Sequence, residues 1–142
     1  MAISTLTQDL TIKVPAASVA ANESIAQPSN QFIEQLVAQH GAPLMVLDCE
    51  SVRHQYRALS RALPGVVLHF ALKPLPHPAV VRALLEEGAS FDLATSGEVD
   101  LVASQGVPSD RTIHTHPIKR DRDIRDALEY GCNVFVVDNI NE

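Results

Sequence analysis

The amino-acid sequence predicts a parallel α/β fold on three observations. Short apolar runs begin at Val66, Ser90, Thr112 and Asn133, a spacing of 21 to 24 residues that matches one strand plus one helix. Between them lie segments of helical period, closed by Gly88, Gly106 and Gly131. The strands are mostly apolar on both faces, as parallel strands covered on both sides are, and polar residues stand at their C-terminal ends.

Residues 1–29 are rich in Ala, Ser, Thr, Gln and Pro without a sustained period, and are expected to form a mobile or loosely docked extension. A helix follows over Asn30–His40, where Phe32, Ile33, Leu36 and Val37 share one stripe and Gly41 supplies a stop. Pro43 opens an apolar strand, Leu44–Leu47, and a second helix runs from Cys49 to Ala62 before a Pro64-Gly65 turn. Residues 30–65 thus read as a helix-strand-helix lead-in, and residues 66–142 as four strand-helix units.

The first of these units has a strand over Val66–Leu72. Leu68, Phe70 and Leu72 form a bulky face suited to helices, while Val67, His69, Ala71 and Lys73 form the face that points inward in a barrel. By this parity His69 is expected to be a hydrogen-bonded core histidine. A helix at Ala79–Glu87 has Pro78 in its favoured first-turn position. A strand at Ser90–Leu93 leads to a helix at Ser96–Gln105, a strand at Thr112–Thr115 to a helix at Arg122–Tyr130, and a strand at Asn133–Val137 closes the pattern.

With 142 residues the chain has room for one ordinary domain, and 46% hydrophobic against 20% charged residues is the balance of a globular protein. A formal net charge of −6 argues against nucleic-acid or anionic-membrane partners, which need a basic footprint. The most basic stretch, Lys119 to Arg125, is diluted by Asp121 and Asp123 and reads as a solvated helix start. No apolar run is long enough to span a bilayer, and no basic-then-apolar leader opens the sequence, so a cytoplasmic location is expected. Cys49 and Cys132, far apart and without metal-ligand spacing, read as reduced, largely buried thiols. Dinucleotide, P-loop, zinc-protease and nucleophile-elbow motifs are all absent.

The candidate site is the set of strand ends: Lys73, Asp92, Thr115 with His116, and Asp138. On spacing alone Lys73 is either a strand-ending lysine that points into water or an amine placed to attack a carbonyl. Asp92 either braces a loop or serves the site. Glu98 completes a capping box with Thr95 as N-cap, reaching back to the Thr95 N–H, or is a site residue. His116 and Lys119 fit an ordinary surface loop equally well.

The stretch from Pro43 to Glu142 resembles the N-terminal part of the barrel domain of the fold-type III pyridoxal-phosphate-dependent decarboxylases, which act on ornithine, lysine, arginine or diaminopimelate. The resemblance rests on the strand ending Ala71-Leu72-Lys73, the stretch Phe91-Asp92-Leu93-Ala94-Thr95-Ser96-Gly97-Glu98, the run Gly106-Val107-Pro108-Ser109-Asp110-Arg111, and Pro117-Ile118-Lys119. It implies a parallel (β/α)8 TIM-like barrel of the alanine-racemase-like kind, incomplete in this chain. It implies that pyridoxal 5′-phosphate is the cofactor, held by Lys73 as an internal aldimine. Ala71 would line the site beneath the ring, and Asp92 and Glu98 would be the acidic residues near cofactor and lysine. Burial of Lys73 in the barrel mouth would help its amine shed a proton.

The implied reaction is decarboxylation of a small basic amino acid, ornithine or lysine before diaminopimelate, by a homodimer. The alternatives are an amino-acid racemase or cofactor-carrying regulator, and a non-catalytic regulatory homologue that binds a decarboxylase partner. Two departures from the family pattern concern the loops at the site: Pro74 and Leu75 follow the lysine where a small residue and asparagine are usual, and His116 precedes the Pro-x-Lys where Asn or Gly is common. A closed barrel takes about 250 residues, so the chain is expected to be an N-terminal portion of a longer enzyme that neither holds the cofactor tightly nor turns over by itself.

Overall fold

The computed structural model describes residues 28–140, so most of the expected N-terminal extension lies outside the described residues. Helix α1 spans Asn30–His40; the Ser29 hydroxyl accepts the Phe32 N–H at 3.2 Å, and Gly41 ends the helix at φ 82°. Helix α2 spans Cys49–Ala62, started by Asp48, whose carboxylate accepts the Glu50 N–H at 2.9 Å and the Ser51 hydroxyl at 2.6 Å.

Three parallel strands follow: β1 (His69–Ala71), β2 (Ser90–Leu93) and β3 (Thr112–His114), in the order β1-β2-β3. Helices α3 (Pro78–Glu86), α4 (Ser96–Ser104) and α5 (Asp121–Tyr130) alternate with them. Strand order follows chain order, and α2, α3, α4 and α5 pack in succession. The fold is α/β, and its strand order is the one with which a parallel barrel begins.

Register sorts the side chains. Phe70, Phe91 and Thr112 form one row, and Leu93 pairs with His114 on the same face. Phe91, Leu93 and His114 are fully buried there, with Leu72, Val80, Val81, Val102 and Cys132. Each such apolar side chain contributes about 1.5–3 kcal/mol of transfer free energy. Ala71, Asp92 and Ile113 form the opposite row, which is exposed or half-buried. The expectation that the bulky face meets the helices holds.

Ionic contacts lash α2 to the outside of α3. Arg53 bonds Glu50 at 2.7 Å and Glu86 at 2.6 Å, and Arg57 bonds Glu87. Glu87 is held below the usual carboxylate range, chiefly by Arg57.

Several expectations need correction. Leu44–Leu47 forms no strand, because no described strand runs beside it to take its backbone groups; Met45 is 80% exposed. The first barrel strand pairs only over His69–Ala71, since β2 begins opposite His69 and leaves Val66 and Val67 without a neighbouring strand among the described residues; the Val66 N–H turns back to the Leu63 carbonyl at 3.2 Å. The Asn133–Val137 segment makes one bridge, His114 to Phe135, with His114 N–H to Val134 O at 2.9 Å and Val136 N–H to His114 O at 3.0 Å. His69 is half-buried on the open face, and the core histidine is His114. Cys132 is buried, whereas Cys49 is only partly so; both are free thiols.

Candidate functional site

Alternation along β1 decides where Lys73 goes. Leu72 turns into the core, so Lys73, like Ala71, emerges on the open face. The Leu72 N–H donates to the Asp92 carbonyl at 3.3 Å, which sets the end of β1 beside the end of β2. A cleft of about 360 Å³ opens at this point, lined by Ala71, Lys73, Asp92, Ala94, Thr115, His116 and Pro117. That volume is within the range of small-molecule sites.

Lys73, Ala71 and Asp92 thus come together as the sequence leads one to expect. Lys73 is exposed, not buried, because the inward face of the sheet is open; within the described residues its amine makes no hydrogen bond or ion pair. Asp92 is fully engaged on one side: its Oδ1 accepts the Thr115 N–H at 3.1 Å and its Oδ2 the Thr115 hydroxyl at 2.6 Å. His116 is half-buried, and its Nδ1 accepts the Ile118 N–H at 3.1 Å. Asp138 is exposed and does not line the cleft.

Glu98 is buried and does not line the cleft. It reaches back one residue further than a capping box does: Oε2 accepts the Ala94 N–H at 2.6 Å, while Thr95 accepts the Glu98 N–H at 3.4 Å. Burial pushes its carboxyl up; the Ala94 bond opposes this, and the charge of Asp92 adds to it.

Sequence reasoning missed two buried groups near the site. Asp123 is not part of a solvated helix start. Its Oδ1 accepts both the N–H and the hydroxyl of Ser96 at 3.0 Å, and Arg120 holds it at 2.7 and 2.9 Å. The Arg120 guanidinium, with the Ser96 bonds, holds its carboxyl far below the usual range against the opposing effect of burial. Nothing in the charge run signals this. His114 stacks on Phe135, ring centroids 5.4 Å apart and planes 22° from parallel, and among the described residues neither ring nitrogen is hydrogen-bonded. Burial pushes its imidazole down, and Lys119 acts in the same direction. Strand parity with Thr112 is the signal that could have found it.

Among the described residues no group of three or more His, Cys, Asp or Glu could hold a metal, and no helix is long and apolar enough to cross a membrane.

A strand-end lysine opening into a cleft on a parallel α/β arc is an arrangement in which an amine could meet a carbonyl group. Residues 49–142 match the family model for the pyridoxal-dependent decarboxylase, pyridoxal binding domain. The chain belongs to that family, whose cofactor is pyridoxal 5′-phosphate.

Among curated relatives, the diaminopimelate decarboxylase of Actinosynnema pretiosum subsp. auranticum is 38% identical over 108 residues, 76% of this chain and 25% of that protein. Among solved structures, the lysine/ornithine decarboxylase of Vibrio vulnificus complexed with putrescine is 72% identical with a TM-score of 0.76, over 80% of this chain and 32% of that one. The lysine decarboxylase of Selenomonas ruminantium is 26% identical with a TM-score of 0.78, over 82% of this chain and 32% of that one. The chain therefore spans about a quarter to a third of the relatives it matches.

The residues present fit the cofactor. The Lys73 amine, without a partner among the described residues, is the kind of nucleophile an aldehyde requires, and the short side chains of Ala71 and Ala94 leave room for a flat ring.

Proposed function

We propose that this chain supplies the cofactor-anchoring part of an enzyme that decarboxylates a basic amino acid, ornithine or lysine, with Lys73 as the residue that binds pyridoxal 5′-phosphate covalently. The observation that carries the reading is the Lys73 amine, open to the cleft and without a partner among the described residues. When bound, the cofactor supplies an electrophilic aldehyde and a ring that takes up the electrons left as carbon dioxide departs.

In this reading Lys73 attaches and later yields its place to the substrate amine. Ala71 bounds the site beneath the ring, and Asp92 offers a fixed negative charge to the ammonium present. Glu98, with its carboxyl pushed up by burial, holds a proton more readily than an exposed carboxylate and braces the Ala94 backbone. Residues 30–65 serve as a lead-in to the barrel units of residues 66–142, and the complete enzyme acts as a homodimer. The 72% identity to the Vibrio lysine/ornithine decarboxylase supports ornithine and lysine as substrates. The 38% identity to a diaminopimelate decarboxylase supports the second reading, diaminopimelate.

The test has two arms. The 142-residue chain, mixed with pyridoxal 5′-phosphate and reduced with borohydride, should carry the cofactor on the Lys73 peptide by mass spectrometry, and Lys73→Arg should carry none there. Labelling elsewhere, with Lys73 unmodified, would sink the assignment. A chimaera with these residues in place of the matching Vibrio segment should release carbon dioxide from ornithine and lysine, while the chain alone should not. A preference for diaminopimelate would favour the second reading.

A further inference from the structure

Asp92 is held by two strands before any ligand arrives. From the β1 side the Leu72 N–H takes its carbonyl at 3.3 Å. From the β3 side one residue, Thr115, donates to both carboxylate oxygens: N–H to Oδ1 at 3.1 Å and hydroxyl to Oδ2 at 2.6 Å. Two donors, one to each oxygen, fix both torsions of the side chain, the χ1 rotamer and the turn of the carboxylate about its last bond; a single donor would leave both freer. Both donors are themselves constrained. The Thr115 backbone follows His114, which is bonded through N–H and carbonyl to the Val134–Val136 segment. The hydroxyl sits on a β-branched side chain with restricted χ1.

We infer that Thr115 is a positioning residue, which presets the Asp92 carboxylate in the Lys73 cleft so that it orients the ammonium of Lys73 or of an incoming amino acid. Each carboxylate oxygen keeps a lone pair beyond its bond to Thr115. The anion can therefore accept a further N–H from the cleft without rotating, and the direction of that bond is set by Thr115. This rests on the reading of the cleft as a site for amines and pyridoxal 5′-phosphate, and it gives a residue outside the anchoring lysine a defined task there.

Thr115→Val keeps the branched shape and the backbone donor and removes the hydroxyl; Thr115→Ser restores it. The first readout uses the chain without cofactor. Three-bond couplings across the Asp92 side chain should report one rotamer in the wild type and in Thr115→Ser, and an average in Thr115→Val. The second is the rate at which Lys73 captures the cofactor, followed by borohydride trapping. Loss of one hydrogen bond to a charged group predicts a roughly tenfold slowing in Thr115→Val, recovery in Thr115→Ser, and no further slowing when Thr115→Val is added to Asp92→Asn. A single Asp92 rotamer that persists in Thr115→Val, or an undiminished Thr115→Val effect in the Asp92→Asn background, overturns the inference. If the wild type captures no cofactor on Lys73, the reading of the cleft fails, and the rotamer measurement still decides the role of Thr115.

Discussion

Acidification should act on His114 in a way that can be isolated from every other group. The ring is 0% exposed, is stacked on Phe135, and gives neither nitrogen a hydrogen-bond partner among the described residues. Burial, assisted by Lys119 and opposed by Asp92 and Asp123, holds its imidazole below the ordinary value of 6.5. Above pH 6.5 the imidazole is mostly neutral in both folded and unfolded chains and has little effect on stability. As pH falls through 6.5 the unfolded chain takes up a proton that the folded chain refuses, so stability falls. The slope approaches about 1.4 kcal/mol per pH unit and flattens once the folded state also protonates. Against a typical total of roughly 5–15 kcal/mol, one unit in this window is a sizeable loss. His114→Phe keeps a ring against Phe135 and removes the titration. Urea unfolding of both proteins, followed by circular dichroism from about pH 8 to about pH 5, gives the difference curve. It should be flat on the alkaline side and turn against the wild type below 6.5. A difference that stays constant across the range would refute the argument.

Three further outcomes follow from local geometry. Asp123→Asn should destabilise the chain by about 2 kcal/mol in urea unfolding, the scale of hydrogen bonds to a charged group, because the carboxylate ties buried Ser96 to Arg120. Gly131→Ala should lower stability by about 1–2 kcal/mol, since Gly131 has φ 103° and a Cβ there would lie 2.8 Å from the Ser109 hydroxyl; an unchanged Tm would contradict this. Glu98→Gln should stabilise the protein at neutral pH. Burial raises the Glu98 carboxyl, so the acid form is the one the fold favours and that contribution is lost as pH rises; the gain should vanish below the ordinary carboxylate value of 4.5.

Helices were the most legible part of the sequence because their ends carry chemistry. Asn30–His40 and Cys49–Ala62 match α1 and α2, where Ser29 and Asp48 cap the first turns; α4 and α5 differ from expectation by one residue at one end and α3 by one residue at each end. Strands were overextended, since apolar character tells which residues can pair and not which have a neighbour; Leu44–Leu47 and Val66–Val67 show the difference. Strand-end position singled out Lys73 and Asp92 as candidates and alternation put Ala71 on the same face as Lys73, while the place of Ala71 in a site came from the family resemblance. Asp123 was not, because its partner Ser96 lies 27 residues away on another helix. The bonds from Thr115 to Asp92 likewise depend on the β2–β3 register, which no local pattern encodes.

The Asp123 carboxylate occupies the start of α4 in the way a bound anion would. A helix start presents roughly half a positive charge and free N–H groups, the usual cradle for a phosphate. At α4 the Ser96 N–H already points at Asp123, and Thr95 takes the Glu98 N–H. A phosphate approaching there would find the Ser96 N–H already taken by a carboxylate that is itself paired with Arg120. Because α4 begins two residues after Ala94 of the cleft wall, the helix start next to the cleft is closed by the chain's own side chains, and the Ser96 donor is spent inside the fold.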